Sequence, residues 1–68
     1  MTEAMYYILL ALLTPSHGYH LMQTVEEVSR GRLRIGPGTL YGVLTRMLKE
    51  GLIVVVEDDG RRKTYAVT

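Results

Sequence analysis

The segment from Gly36 to Ile53 constrains the fold more than any other, because it marks both ends of a helix and distinguishes its two faces. At ~100° of rotation per residue, Leu40, Val43, Leu44, Met47 and Leu48 form one continuous apolar stripe that must meet a core. The other side carries Gly38, Tyr41, Gly42, Thr45 and Lys49, with Thr39 and Arg46 at its borders, and nothing aliphatic larger than a threonine methyl interrupts it. Pro37 suits a first helical turn, where its missing N–H has no partner to lose. Gly51 suits the left-handed residue that closes a helix. A glycine inside a helix costs about 1 kcal/mol against alanine. Gly42 therefore has two readings: a bare patch that lets a surface such as a phosphate backbone come near, or a tolerated solvent-facing residue.

The segment C-terminal to this helix narrows the choice of fold. Ile53-Val54-Val55-Val56 is β-branched and ends at Asp58-Asp59-Gly60, after which Arg61 to Val67 runs back. The pattern predicts a β-hairpin with Asp59-Gly60 in its turn and Arg61, Arg62 and Lys63 on its return side. A helix with a polar contact face, joined to a basic hairpin, is the ground plan of a winged helix-turn-helix. In that plan the helix enters the major groove of DNA, and the wing lies over the adjacent minor groove or the phosphates.

Two earlier segments supply the other helices. Thr2 can cap a helix from Glu3 to Leu13 in which Met5, Ile8, Leu9 and Leu12 repeat at helical spacing. Tyr6, Leu10 and Leu13 widen its apolar surface beyond one stripe, which implies a second partner for the stretch Met5–Leu13. Ala4 to Leu13 is about half the ~20 residues needed to span a bilayer. Glu3 and the lack of an early basic residue argue against a signal peptide. The chain then breaks at Thr14-Pro15-Ser16, and Ser16 is the expected cap of a second helix from His17 to Ser29, ended near Gly31. Leu21, Met22, Val25 and Val28 would face the core, with Glu26 and Glu27 in solvent and away from DNA. Arg32-Leu33-Arg34-Ile35 alternates polar and apolar, and is either a short extended segment or the turn between helices. The expected fold is mainly α with a small β-hairpin, three helices plus a two-stranded wing, in one domain spanning residues 1–68.

Sixty-eight residues without a cysteine leave little core and no disulfide to reinforce it. The absence of cysteine removes thiolate and redox chemistry and cysteine-ligated zinc, and fits a reducing, cytoplasmic setting. His17 and His20 lie three apart, but no further ligands stand at a convincing spacing, so they read as surface or capping residues. No Ser, His and Asp constellation suggests a nucleophile, and Asp58 and Asp59 are turn formers. Neither an enzyme, nor a cofactor, nor a metal is expected. The net charge of +1 conceals an asymmetry, since residues 1–30 carry −2 and residues 31–68 carry +3. Positive charge is thus concentrated in the part that the pattern assigns to DNA, although most charge clusters are only solvated surface.

Taken in order, four pieces resemble the PadR-type transcriptional regulators. They are His17-Gly18-Tyr19, Pro37-Gly38-Thr39-Leu40-Tyr41, Arg46-Met47-Leu48-Lys49-Glu50-Gly51-Leu52-Ile53, and Arg62-Lys63-Thr64-Tyr65 with Val67-Thr68. The resemblance covers essentially the whole chain. It implies a prokaryotic repressor that binds double-stranded operator DNA as a homodimer and often releases it when a small aromatic compound binds. Such chains normally continue past the wing into C-terminal helices that form the dimer interface and frequently line the effector pocket. This sequence ends at Thr68, so a small aromatic effector is expected only where such helices exist.

The resemblance also implies roles for individual residues. Tyr19 matches a position that reaches a phosphate, against the alternative of a half-buried core tyrosine. Thr39 and Tyr41 match the front of the recognition helix, where a hydroxyl bonds phosphate and a ring packs on sugar; Thr39 could equally satisfy a backbone N–H at the helix end. Arg46 and Lys49 supply charge beside the exposed face or are simply solvated. Arg61, Arg62 and Lys63 match the basic wing. Thr45 is the remaining candidate for direct base reading, which is expected to be sparse. Winged helices also serve as protein-interaction modules, and this second reading predicts no salt-sensitive DNA binding.

Overall fold

The computed structural model describes residues Thr2 to Thr68. Three helices and three strands succeed one another as α1 (Glu3–Ala11), β1 (Ser16–His17), α2 (Gly18–Val28), α3 (Pro37–Lys49), β2 (Ile53–Asp58) and β3 (Lys63–Val67). The strands form one antiparallel sheet in the order β1-β3-β2. The sheet therefore has one strand more than the hairpin predicted from sequence. Two residues are too few to show alternation, and Ser16 and His17 become a strand only because Tyr65 and Thr64 pair with them.

The core is built from the predicted stripes. Met5, Ile8 and Leu12, Leu21 and Val25, and Leu40, Leu44 and Met47 are buried together with Ile53 and Tyr65 of the wing. Leu9, Met22 and Val43 pack partly against this cluster. Val28 and Leu48, which the helical spacing also assigns to the core, lie nearer the surface. Val28 is the last residue of α2 and Leu48 the last but one of α3.

Several boundaries differ from expectation. Thr2 caps α1 through a 3.1 Å bond from the Met5 N–H, but the helix closes at Ala11 rather than Leu13, leaving Leu13 79% exposed. Ser16 does not cap α2. Strand pairing occupies it, and His17 takes the cap position, its Nδ1 accepting the His20 N–H at 3.3 Å. The Ser16 hydroxyl lies 2.8 Å from Nδ1 of His20 instead. Arg32 to Ile35 is an irregular connection, not a strand. Its alternation arises because Leu33 and Ile35 pack against the core while Arg32 and Arg34 reach outward to Glu3 (3.1 Å) and Glu26 (3.2 Å). These ion pairs are well exposed, so each contributes little.

The connection is held more firmly from inside. Arg30 and Gly31 both adopt left-handed backbone, and the Gly31 N–H reaches back to the Glu26 carbonyl at 2.8 Å, the closing bond of a Schellman turn. Buried Ser29 accepts the Leu33 N–H at 3.0 Å and donates to the Glu26 carbonyl at 3.2 Å. The direction in which the chain leaves α2 is thereby set, and with it the position of α3.

Candidate nucleic-acid interface

The contact face predicted for α3 is open. Gly38, Thr39, Tyr41, Gly42, Thr45, Arg46 and Lys49 are all exposed, and a Cβ added at Gly38 or Gly42 would meet nothing within 4 Å. Thr45 donates its hydroxyl proton to the Tyr41 carbonyl at 2.8 Å, which leaves the oxygen's lone pairs free to accept. Thr39 does not cap the helix: Gly36 holds the cap position and no side chain bonds there. Arg46 is drawn to Glu50 one turn on, at 3.0 Å, so its charge is partly matched within the helix. Lys49 lies in the last turn of α3, where a cation complements the helix dipole.

The wing is shaped by its two aspartates. Oδ1 of Asp58 accepts the Gly60 N–H at 2.9 Å, and Oδ1 of Asp59 accepts the N–H groups of Arg61 and Arg62 at 3.0 and 2.8 Å. Gly60 takes the left-handed backbone that the tight turn needs. The N–H groups of Arg62 and Arg61, together with the charge of Arg62, hold the Asp59 carboxyl below its ordinary pKa. The residues that look like acidic intruders in a basic wing are thus engaged in bending it. Between Val55 and Glu57 the register with β3 slips by one residue, a bulge that twists the wing.

Folding brings five of the nine candidates around one cleft of about 370 Å³. Tyr19 comes from the start of α2, Tyr41 from α3, and Arg61, Arg62 and Lys63 from the wing. Tyr19 is 64% exposed, which rules out the core reading. Thr39, Thr45, Arg46 and Lys49 do not line the cleft. They extend along α3 beyond it.

The cleft also contains residues that sequence reasoning did not single out as contributors: His17, Gly18, Asp58 and Tyr65. Tyr65 is buried, and its phenol is held above its ordinary pKa by burial first, then by the nearby Tyr41 and Asp58. Only its place in the Arg62-Lys63-Thr64-Tyr65 motif signalled it. Chemically, the cleft offers cations, phenols and the first turn of α2, a combination suited to an anionic polymer rather than to bond breaking.

A three-helix core with a pleated wing, an open face on the third helix and a basic hairpin defines a winged helix-turn-helix protein. Residues 8–68 match the Transcriptional regulator PadR-like family, and this chain belongs to it. It is a family of regulators, not of enzymes. The chain is 34% identical over 53 residues to the transcriptional regulator YqjI of Escherichia coli K12, covering 78% of this chain and 26% of YqjI. It is 41% identical over 54 residues to an uncharacterized 37.1 kDa protein in transposon Tn4556 of Streptomyces fradiae, covering 79% of this chain and 15% of that protein. Among solved structures, RosR of H. salinarum superposes over the whole chain with a TM-score of 0.86 at 28% identity, with 61% of RosR covered. This chain therefore corresponds to between about a seventh and a quarter of those curated relatives.

Proposed function

We propose that this chain reads double-stranded operator DNA for a transcriptional regulator, acting as a repressor. The observation that carries the reading is the convergence of Tyr19, Tyr41, Arg61, Arg62 and Lys63 on one cleft beside the bare face of α3. The front of α3 enters the major groove, with Thr45 toward the base edges and Thr39 toward a phosphate. The wing lies over the neighbouring minor groove or its phosphates, and Arg46 and Lys49 track the backbone. Family membership and the likeness to RosR support the reading.

A homodimer on a two-fold symmetric operator is the matching assembly. The outer side of α1 and the turn that follows it are its proposed interface, since Tyr6, Leu10 and Leu13 are left in water there. An aromatic effector belongs to this proposal only through C-terminal helices. Action on DNA in a prokaryote places the protein in the cytoplasm; among the described residues no helix is long and apolar enough to cross a membrane.

Binding to mixed-sequence duplexes and to duplexes from upstream regions, at two salt concentrations and with the mass in solution recorded, tests this. Salt-sensitive binding that prefers some upstream sequences is expected, because each neutralised phosphate contributes a slope of about −0.9 in log K against log salt. No binding at low salt overturns the proposal in favour of a protein-interaction module.

A further inference from the structure

Gly18 is the first residue of α2 and is buried, yet its backbone does not require glycine. Left-handed φ values occur at Gly31, Gly51 and Gly60 but not here. A neighbouring side chain supplies the requirement. A Cβ placed on Gly18 would lie 2.8 Å from Cζ and 3.0 Å from Cε1 of Tyr41, and closer still to the phenol oxygen. Gly36, Gly38 and Gly42 face open space by the same measure, so Gly18 alone among the glycines has its missing side chain replaced by another residue. The ring of Tyr41 thus rests directly on the first turn of α2, joining the two helices of the helix-turn-helix at the mouth of the cleft it shares with Tyr19 and the wing cations.

We propose that Gly18 is a positioning residue for DNA binding, which seats the Tyr41 ring against α2 and so aims its phenol into the basic cleft. This rests on the DNA-binding reading. Tyr41 is half exposed on the surface of α3, where a ring can sample several rotamers unless a neighbouring element confines it. The seat on Gly18 does so, and a contact group held in place before binding loses less freedom when the DNA arrives. Tyr65, buried in the same cleft, supplies a second neighbour.

The arrangement separates binding from folding. Alanine is at least as good as glycine inside a helix, and the atoms its methyl would strike are the outer end of a side chain free to swing into solvent. Gly18→Ala should therefore displace the ring without unfolding the domain.

The test is a double-mutant cycle on the full chain, comparing wild type, Gly18→Ala, Tyr41→Ala and the double variant. The probe is a labelled mixed-sequence duplex about two helical turns long at low salt, with thermal melts in parallel. Gly18→Ala should melt close to wild type and bind about tenfold more weakly, the loss of one charge-assisted contact. Tyr41→Ala should bind as weakly, and adding Gly18→Ala to it should change nothing further. Should Gly18→Ala melt early, the double variant, which has no clash to relieve, carries the test by binding as Tyr41→Ala does. Wild-type affinity in either single variant, or losses that multiply in the double variant, would overturn the proposal while leaving DNA binding intact. Failure of the wild-type chain to bind overturns the DNA reading itself.

Discussion

The cleft between α2, α3 and the wing leaves Tyr19 and Tyr41 in water, and the outer side of α1 does the same with Tyr6. The surroundings of the rings differ. In the cleft they stand beside Arg61, Arg62 and Lys63 and the start of a helix. On α1, Tyr6 meets Tyr7 edge-on at 5.4 Å between centroids and shares its exposure with Leu10 and, just past the helix end, Leu13. An exposed tyrosine among cations fits a sugar–phosphate surface, whereas one among leucines fits another protein. The neighbours, not the residue type, separate the two surfaces.

The two faces of α3 allow the strongest attack on this contrast. Leu44→Ala opens a cavity under the helix and should cost about 2–5 kcal/mol in a chemical melt, abolishing both surfaces by unfolding. On the wing, Arg61→Gln with Arg62→Gln should weaken binding to every duplex and reduce the salt slope by about 1 to 2; an unchanged slope would remove the wing from the interface. Gly42→Leu should stabilise the helix by about 0.5–1 kcal/mol, since leucine is the better helix former and the space is open, yet cost more than that in DNA affinity. Equal binding would make Gly42 an ordinary surface glycine.

The α1 surface should respond in the opposite sense. Leu10→Glu with Leu13→Glu should leave the affinity of a single domain for DNA within about twofold, while lowering the mass measured in solution if this face pairs copies. The smallest effect expected is at Asp59. Its folded pKa is depressed, so its contribution to the wing is present above the ordinary carboxylate pKa of about 3.9 and lost as pH falls through the folded value. Asp59→Asn should therefore lower the melting temperature slightly at neutral pH and flatten the acid end of the melting profile below about pH 4, where the wild type has lost the same contribution.

The faces of α3 and the hairpin turn were legible in the sequence because both are local. Helical spacing placed Leu40, Leu44 and Met47 inward, and Asp59-Gly60 specified a turn. The third strand was not legible, because Ser16 and His17 have no strand character until Tyr65 and Thr64 pair with them. Nor was the cap of α2, which passed from Ser16 to His17 when that pairing formed. The cleft was visible as a set of residue types, but its assembly from three elements and the fit of Gly18 beneath Tyr41 depend on how α2 and α3 cross. That crossing is set by the Ser29 bonds and the left-handed pair Arg30-Gly31. A buried glycine with ordinary backbone gives no sign in sequence of what fills its place.

Amide chemical shifts of the full chain, monitored while a duplex is added at low salt, test the central claim most directly. The account predicts changes at Gly18 and Tyr19, along Tyr41 to Thr45, and through Asp59 to Lys63, with Tyr6 and Leu10 unmoved. Changes centred on α1, or none at all at low salt, would contradict it.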